Sequence, residues 1–223
     1  MHEQILERCI NIEEWGAFLM TEVGHGSNVQ GVMTTATYDK STQEFVINTP
    51  NDLAAKFWIG NLAKTATMGV VIAQLIVEGK NHGVHLFAVP IRDKETHEVY
   101  PGIVIGDCGP KHGMHVIDNG AAWFQNYRIP REYMLNKISN VSPDGVFTSK
   151  ERSKSKRFGM HMSALSSGRI GLSYCASQLM TNAVTTALRY ASVRQQFNNN
   201  AKTREHYLLE YPLHQQRLIP LLA

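Results

Sequence analysis

Long hydrophobic runs are missing from this chain. None reaches the ~18 residues that a membrane-crossing helix needs, so no helical anchor is expected within it. Cysteine is scarce as well: Cys9, Cys108 and Cys175 are too few and too far apart for a disulfide framework, which favours a reducing compartment. An excess of one charge is also absent. The net charge is +3 with the basic residues scattered, so nothing calls for nucleic acid or an acidic membrane surface. The opening MHEQILERC has no basic segment followed by an apolar one, and no secretory signal is read there. The closing Leu221-Leu222-Ala223 is not an SKL-type peroxisomal address.

Several chemical signatures are missing too. His112 and His115 have no further ligand at metal-binding spacing and read as loop histidines. Ser166 and Ser167 sit in no nucleophile elbow, and Cys175 falls in an alanine-rich stretch as a small core residue. Gly24, Gly26 and Gly31 are spaced G-x-G-x-x-x-x-G with no βαβ unit after them, unlike the dinucleotide fingerprint.

What is present is the composition of an ordinary globular protein. With 43% apolar residues over 223 positions there is enough to bury for one large domain or two small ones. Ile5, Leu6, Cys9, Ile10 and Ile12 recur at roughly helical spacing, which predicts one short amphipathic helix within residues 2–15. From Gly16 the period changes. GVMTTATYD (31–39) and EFVINTP (44–50) predict a hairpin across Lys40–Gln43. Residues 67–79 and 83–93 read as two strands joined at Lys80–His82, and the β pattern continues to about Pro130. Many short strands without helices between them argue for a sandwich or barrel. Residues 140–156, polar and broken by Pro143 and Gly145, read as a connecting loop. From Phe158 to about Phe197 there is no proline, and Leu165, Leu172, Ala176, Leu179, Ala183 and Ala187 share one face of a long helix suited to close packing. A polar loop at 198–206 and a second amphipathic helix from Leu208 follow, with Pro220 placed to disturb its end.

The densest chemistry lies in MTEVGHGSNVQG (20–31), where glycines let backbone amides approach a ligand and polar side chains direct hydrogen bonds. Taken alone, it serves equally as a surface turn. MTEVGHGSN resembles the flavin-binding loop of the acyl-CoA oxidases, relatives of the acyl-CoA dehydrogenases, whose counterpart reads T-E-x-x-x-G-S-D. TTATYD (34–39), FWIGNLAKT (57–65), FAVPIRD (87–93), IDNG (117–120) and RIPREYML (128–135) recur in the oxidase order, so the resemblance covers about Gly16 to Ala223. The fold class it implies, with which the periodicities agree, is α+β. A helical N-terminal remnant (1–15) precedes an antiparallel β-barrel-like middle domain (16–140), a linker (141–156) and the start of a C-terminal helical bundle (157–223).

The resemblance implies an FAD-dependent oxidation of fatty acyl-CoA to trans-2-enoyl-CoA, with O2 reduced to H2O2, in peroxisomal fatty-acid β-oxidation. It matches Thr21 to a threonine that hydrogen-bonds the isoalloxazine ring; the alternative is a strand-end threonine bonded to nearby backbone. Trp58-Ile59-Gly60 matches the dehydrogenases' Trp-Ile-Thr beside the ring, with the glycine found in oxidases leaving room for O2; the alternatives are a core tryptophan and a turn glycine. Arg194 and Phe197 match an Arg-x-x-Phe that reaches a neighbouring subunit's FAD, which implies a homodimer or pairing with a longer oxidase subunit. A guanidinium fork suits a pyrophosphate, although a helix-end arginine is as often a solvated charge. Ser27 matches a serine touching the CoA portion, and Arg169 an arginine near the thioester whose usual acidic partner is here Ser166. His25 sits where oxidases carry histidine, and Pro212 where relatives carry a glutamine near the cofactor. The family's catalytic glutamate lies downstream of residue 223, and Glu22 belongs to the flavin loop and is not the base. A truncated form or paralogue with little activity alone is therefore expected. The alternatives are a non-catalytic isoform or partner subunit of a full-length oxidase and, disfavoured by Gly60 and His25, an acyl-CoA dehydrogenase.

Overall fold

The computed structural model describes residues 1–197 and 204–222, in two compact units, Met1–Ser163 and Ala164–Ala223. The first unit opens on helix α1 (His2–Ile10). Ile5 and Cys9, four residues apart, share the face that packs on Met68 and Ala88. Leu6 and Ile10 lie on the next row of the helix and are exposed, and Ile12 has left the helix at φ +60°. The expected apolar face is thus half as wide as its spacing suggests.

The largest sheet is built on β5 (Met68–Val77). One edge of β5 is shared by two parallel neighbours. β1 (Gly16–Leu19) runs opposite Met68–Val71, and β2 (Thr35–Asp39) places Thr35–Thr37 opposite Gln74–Ile76. Along its other edge β6 (Lys80–Pro90) runs antiparallel. β2 pairs antiparallel with β3 (Glu44–Asn48), as the hairpin reading expects, and β3 with β9 (Tyr127–Pro130). A second sheet has the order β4 (Lys56–Gly60), β8 (Asn119–Phe124), β7 (Ile103–Asp107) and is antiparallel. The α+β class stands, but the expected antiparallel pairing does not hold throughout, because the main sheet is mixed. Parallel pairing needs a crossover of about a dozen residues or more, and the segments from β1 and β2 to β5 both exceed that. Both arrangements produce the same period-2 pattern, so periodicity cannot tell them apart. The two sheets enclose one core, in which Phe45 and Phe87 meet edge-on at 5.1 Å among Leu19, Ile47, Leu75 and Phe124.

The β5–β6 hairpin turns earlier than the sequence suggests. Glu78 and Gly79, at φ +48° and +73°, close it between Val77 and Lys80, two positive φ values in succession as in a type I′ turn. Residues 141–156 are not a plain loop either. Two short strands, β10 (Ser139–Val141) and β11 (Phe147–Ser149), pair across it, and helix α2 (Lys154–Met162) begins inside it with Ser153 accepting from the Lys156 amide. α2 turns Arg157 and His161 inward, toward β6.

The expected unbroken helix is interrupted by a 3₁₀ turn at Ser163–Leu165, after which α3 runs from Ser166 to Val193. Its Leu172 and Leu179 are 72% and 70% exposed, so the apolar face read from the sequence is unpacked among the described residues. α4 (Pro212–Leu218) starts on Pro212, where the missing N–H leaves no helical bond unmade, and stops short of Pro220. The first six residues of the polar loop read at 198–206, with its Asn198–Asn200 tract, lie outside the described residues.

Candidate functional site

The loop after β1 is pinned by a buried ion pair. Glu22 accepts from the amides of Met33 at 2.7 Å and Thr34 at 3.0 Å, from the Thr34 hydroxyl at 2.6 Å and from the Lys56 ammonium at 3.0 Å. Lys56 also donates to the carbonyls of Met20 at 3.0 Å and Ile72 at 2.7 Å, and both side chains are fully buried. Burial pushes the Lys56 ammonium down to about 8, while Glu22 pulls the other way. All three of its protons have acceptors. The sequence reading places Glu22 in the motif but passes over Lys56, one residue before FWIGNLAKT. The available signal is a lysine inside an otherwise apolar run, Ala54-Ala55-Lys56-Phe57-Trp58.

This anchor lays Thr21 alongside β4. The Phe57 amide donates to the Thr21 carbonyl at 3.1 Å, and the Thr21 hydroxyl donates to the Phe57 carbonyl at 2.7 Å. The hydroxyl oxygen keeps its acceptor lone pairs. The next residue breaks the strand: between the pairs Lys56–Ala122 and Ile59–Gly120, Phe57 and Trp58 together oppose Ala121. Trp58 occupies the left-handed region at φ +63° and its side chain is half-exposed. Trp58 is thus not enclosed by the core of this unit. A non-glycine residue held there costs about 1–2 kcal/mol, and such strain marks positions worth a functional explanation. A Cβ built on Gly60 would meet nothing within 4 Å, so packing within the protein does not demand a glycine there.

Within the loop, packing presses on two of the three glycines, on Gly24 through a backbone carbonyl and on Gly31 only through side chains that can move aside. A Cβ on Gly24 would lie 3.2 Å from the Leu53 carbonyl oxygen, and one on Gly31 2.9 Å from Asn28 Nδ2 and 3.0 Å from the His25 ring. Gly26 has open space. Ser27 is exposed and contributes its carbonyl to the Val29 amide, leaving its hydroxyl toward solvent.

Thr21, Ser27, Trp58 and Gly60 thus fall in the first unit, and Arg169 and Arg194 in the second. Both arginines are exposed, and neither guanidinium has a hydrogen-bond or ion-pair partner among the described residues. They stand at opposite ends of α3, about 37 Å apart at 1.5 Å per residue, so one chain cannot bring both to the same small group. Arg194 caps the helix with extended backbone, its amide still bonded to Tyr190. Phe197 follows at φ +59° and lines a cleft of about 300 Å³ with Leu208, Tyr211 and Leu213.

The two curled sheets and the long helix after them define the class. The profile of "Acyl-CoA dehydrogenase, middle domain" matches residues 17–127, and that of "Acyl-CoA oxidase, C-alpha1 domain" matches residues 162–223. The peroxisomal acyl-coenzyme A oxidase 3 of Arabidopsis thaliana is 46% identical over 222 residues, covering all of this chain and 33% of that protein. The crystal structure of acyl-CoA oxidase 3 from Yarrowia lipolytica aligns with TM-score 0.87 at 42% identity, over 99% of this chain and 31% of the other. Acyl-CoA oxidase 2 of Caenorhabditis elegans, solved with FAD, ascaroside-CoA and ATP, aligns with TM-score 0.83 at 36% identity, over 99% of this chain and 32% of the other. This chain belongs to the acyl-CoA oxidase family. It spans about a third of the length of the relatives it matches.

Proposed function

We infer that this chain is a cofactor- and substrate-holding part of an FAD-dependent acyl-CoA oxidase acting in peroxisomal fatty-acid β-oxidation. One observation carries the reading. The buried Glu22–Lys56 pair fixes a surface on which an acceptor hydroxyl (Thr21), an outward indole held in a strained bulge (Trp58) and a glycine with free space beside it (Gly60) adjoin. That set suits a flavin: a polar edge contact, an aromatic neighbour and room at a reactive edge. Held there, FAD would supply the chemistry of accepting a hydride from the acyl β-carbon and reducing O2, which together give trans-2-enoyl-CoA and H2O2. Thr21, Trp58, Gly60 and, from a second subunit, Arg194 hold the cofactor, while Ser27 and Arg169 hold the acyl-CoA. The partner is a second copy or a longer oxidase subunit, in keeping with the exposed Ile170, Leu172, Leu179 and Val193 of α3.

Removal of the acyl α-proton needs a carboxylate base. Glu22 is the only buried carboxylate among the described residues, and every bond it makes is structural. Glu22 is therefore not that base, and a base supplied by another part of the enzyme would make the chain by itself a binding, non-catalytic subunit, the second reading. Incubation with FAD, desalting and a visible spectrum test the first reading. Retained oxidised flavin supports it, and its complete loss overturns it for this chain alone. A peroxide assay with acyl-CoA then separates the two: turnover rejects the non-catalytic subunit. Electron transfer to a carrier protein with little peroxide would restore the dehydrogenase alternative.

A further inference from the structure

Two sequence blocks remain without a task, Arg92 in FAVPIRD and Asp118-Asn119-Gly120 in IDNG. Both converge on the segment that follows Trp58. Asp118 accepts from the Lys64 amide at 3.0 Å and the Thr65 amide at 2.9 Å through one carboxylate oxygen, and from Lys64 at 3.1 Å through the other. The buried Arg92 guanidinium donates to the carbonyls of Ala66 at 2.8 Å and Ala63 at 2.7 Å. Asn119 donates to the Trp58 carbonyl at 3.4 Å. Gly120 has no room for a side chain: a Cβ would stand 2.6 Å from the Ala63 nitrogen and 2.9 Å from its Cα, which are backbone atoms that cannot step aside. The segment 61–66 is thus gripped through both its amides and its carbonyls, directly after the one strained bulge in β4. Leu62 and Ala66 of this segment are fully buried, so the grip also ties the residues after Trp58 to the core.

We propose that Arg92, Asp118, Asn119 and Gly120 are positioning residues that hold Trp58 in its left-handed bulge and so aim its indole and keep the edge at Gly60 open. The clamp acts through backbone, because none of its members lies on the outward surface formed by Thr21, Trp58 and Gly60. Without it the extended conformation at Trp58 is favoured, and a one-residue change of register there turns the indole to the other face of β4. The consequence for cofactor rests on the flavin reading above.

The test uses the full chain labelled with 5-fluorotryptophan, whose three resonances are assigned by Trp58→Phe and Trp123→Phe. In the flavin-free protein, Asp118→Ala is expected to shift or split the Trp58 resonance while that of Trp15 stays in place. Asp118→Asn keeps an acceptor oxygen for the Lys64 and Thr65 amides and is expected to restore it. FAD affinity follows the same order, about tenfold weaker for the alanine variant and near the parent for asparagine. Should Asp118→Ala fail to fold, Asn119→Ala removes only the bond to the Trp58 carbonyl and is read the same way. An unmoved Trp58 resonance in a folded variant, or all three moving together, overturns the proposal. A parent chain that takes up no FAD sinks the flavin reading and leaves the clamp to be decided by the resonance alone.

Discussion

At Trp58 backbone and side chain pull in opposite directions. The left-handed φ favours glycine, while an indole suits an aromatic ligand face. Trp58→Gly is therefore expected to raise stability by about 1 kcal/mol in urea unfolding and to lower FAD retention in the same preparation. A loss of stability would show that contacts of the half-exposed indole outweigh the strain at its backbone. Lys56 behaves in the opposite way. Lys56→Met leaves the Glu22 carboxylate buried without its counter-charge and is expected to cost about 3–5 kcal/mol, read as a lower urea midpoint at unchanged slope. Adding Glu22→Gln removes the orphaned charge and recovers part of that loss. Thr21, Trp58 and Gly60 are legible in the sequence through their motif. Lys56 is not, because a lysine is expected at the surface unless a partner is known, and its partner lies 34 positions away.

Among the elements, β6 and α2 meet on a cluster that no local pattern announces. The rings of His85 and His161 stand 5.3 Å apart, and the Nε2 atoms of both are buried without a partner among the described residues. His85 bonds the Gly83 carbonyl through Nδ1 at 3.0 Å. Burial pushes the His85 imidazole down to about 4 despite that bond, with His161, Arg157 and His82 adding to the effect. His161 is lowered too, again chiefly by burial. The sign follows from proton binding. Between an unfolded value near 6.5 and the folded value the unfolded chain holds more protons, so stability falls as pH falls through that window. For His85 alone the loss by pH 4 is about 3 kcal/mol. Urea midpoints between pH 7 and pH 4.5 should show this slope, and His85→Leu should flatten it. The hairpin at 31–50 and the strand positions are legible as period-2 patterns. The parallel pairing of β1 and β2 with β5, and the turn at Glu78-Gly79, depend on long-range packing and on backbone angles unusual for glutamate.

For the molecule as a whole, the distribution of buried residues separates the two units. Among the described residues of Ala164–Ala223 only Val184 and Ala191 are buried hydrophobics, while the three core clusters lie in Met1–Ser163. Residues 1–163 expressed alone are expected to unfold cooperatively, with a thermal midpoint within a few degrees of the full chain by circular dichroism. A non-cooperative fragment would show that the helical unit supports the sheets. α3 presents apolar side chains around much of its circumference, which is the pattern of a helix covered on several sides.

The amino-acid sequence by itself determined the family, the α+β class, most strand positions and the motif residues, because these depend on local period and on blocks of adjacent residues. Tertiary structure alone decided the mixed order of the main sheet, the Glu22–Lys56 anchor and the convergence of Arg92 and Asp118–Gly120 behind Trp58. Each of those joins residues tens of positions apart, and side-chain period carries no record of which strand lies beside which.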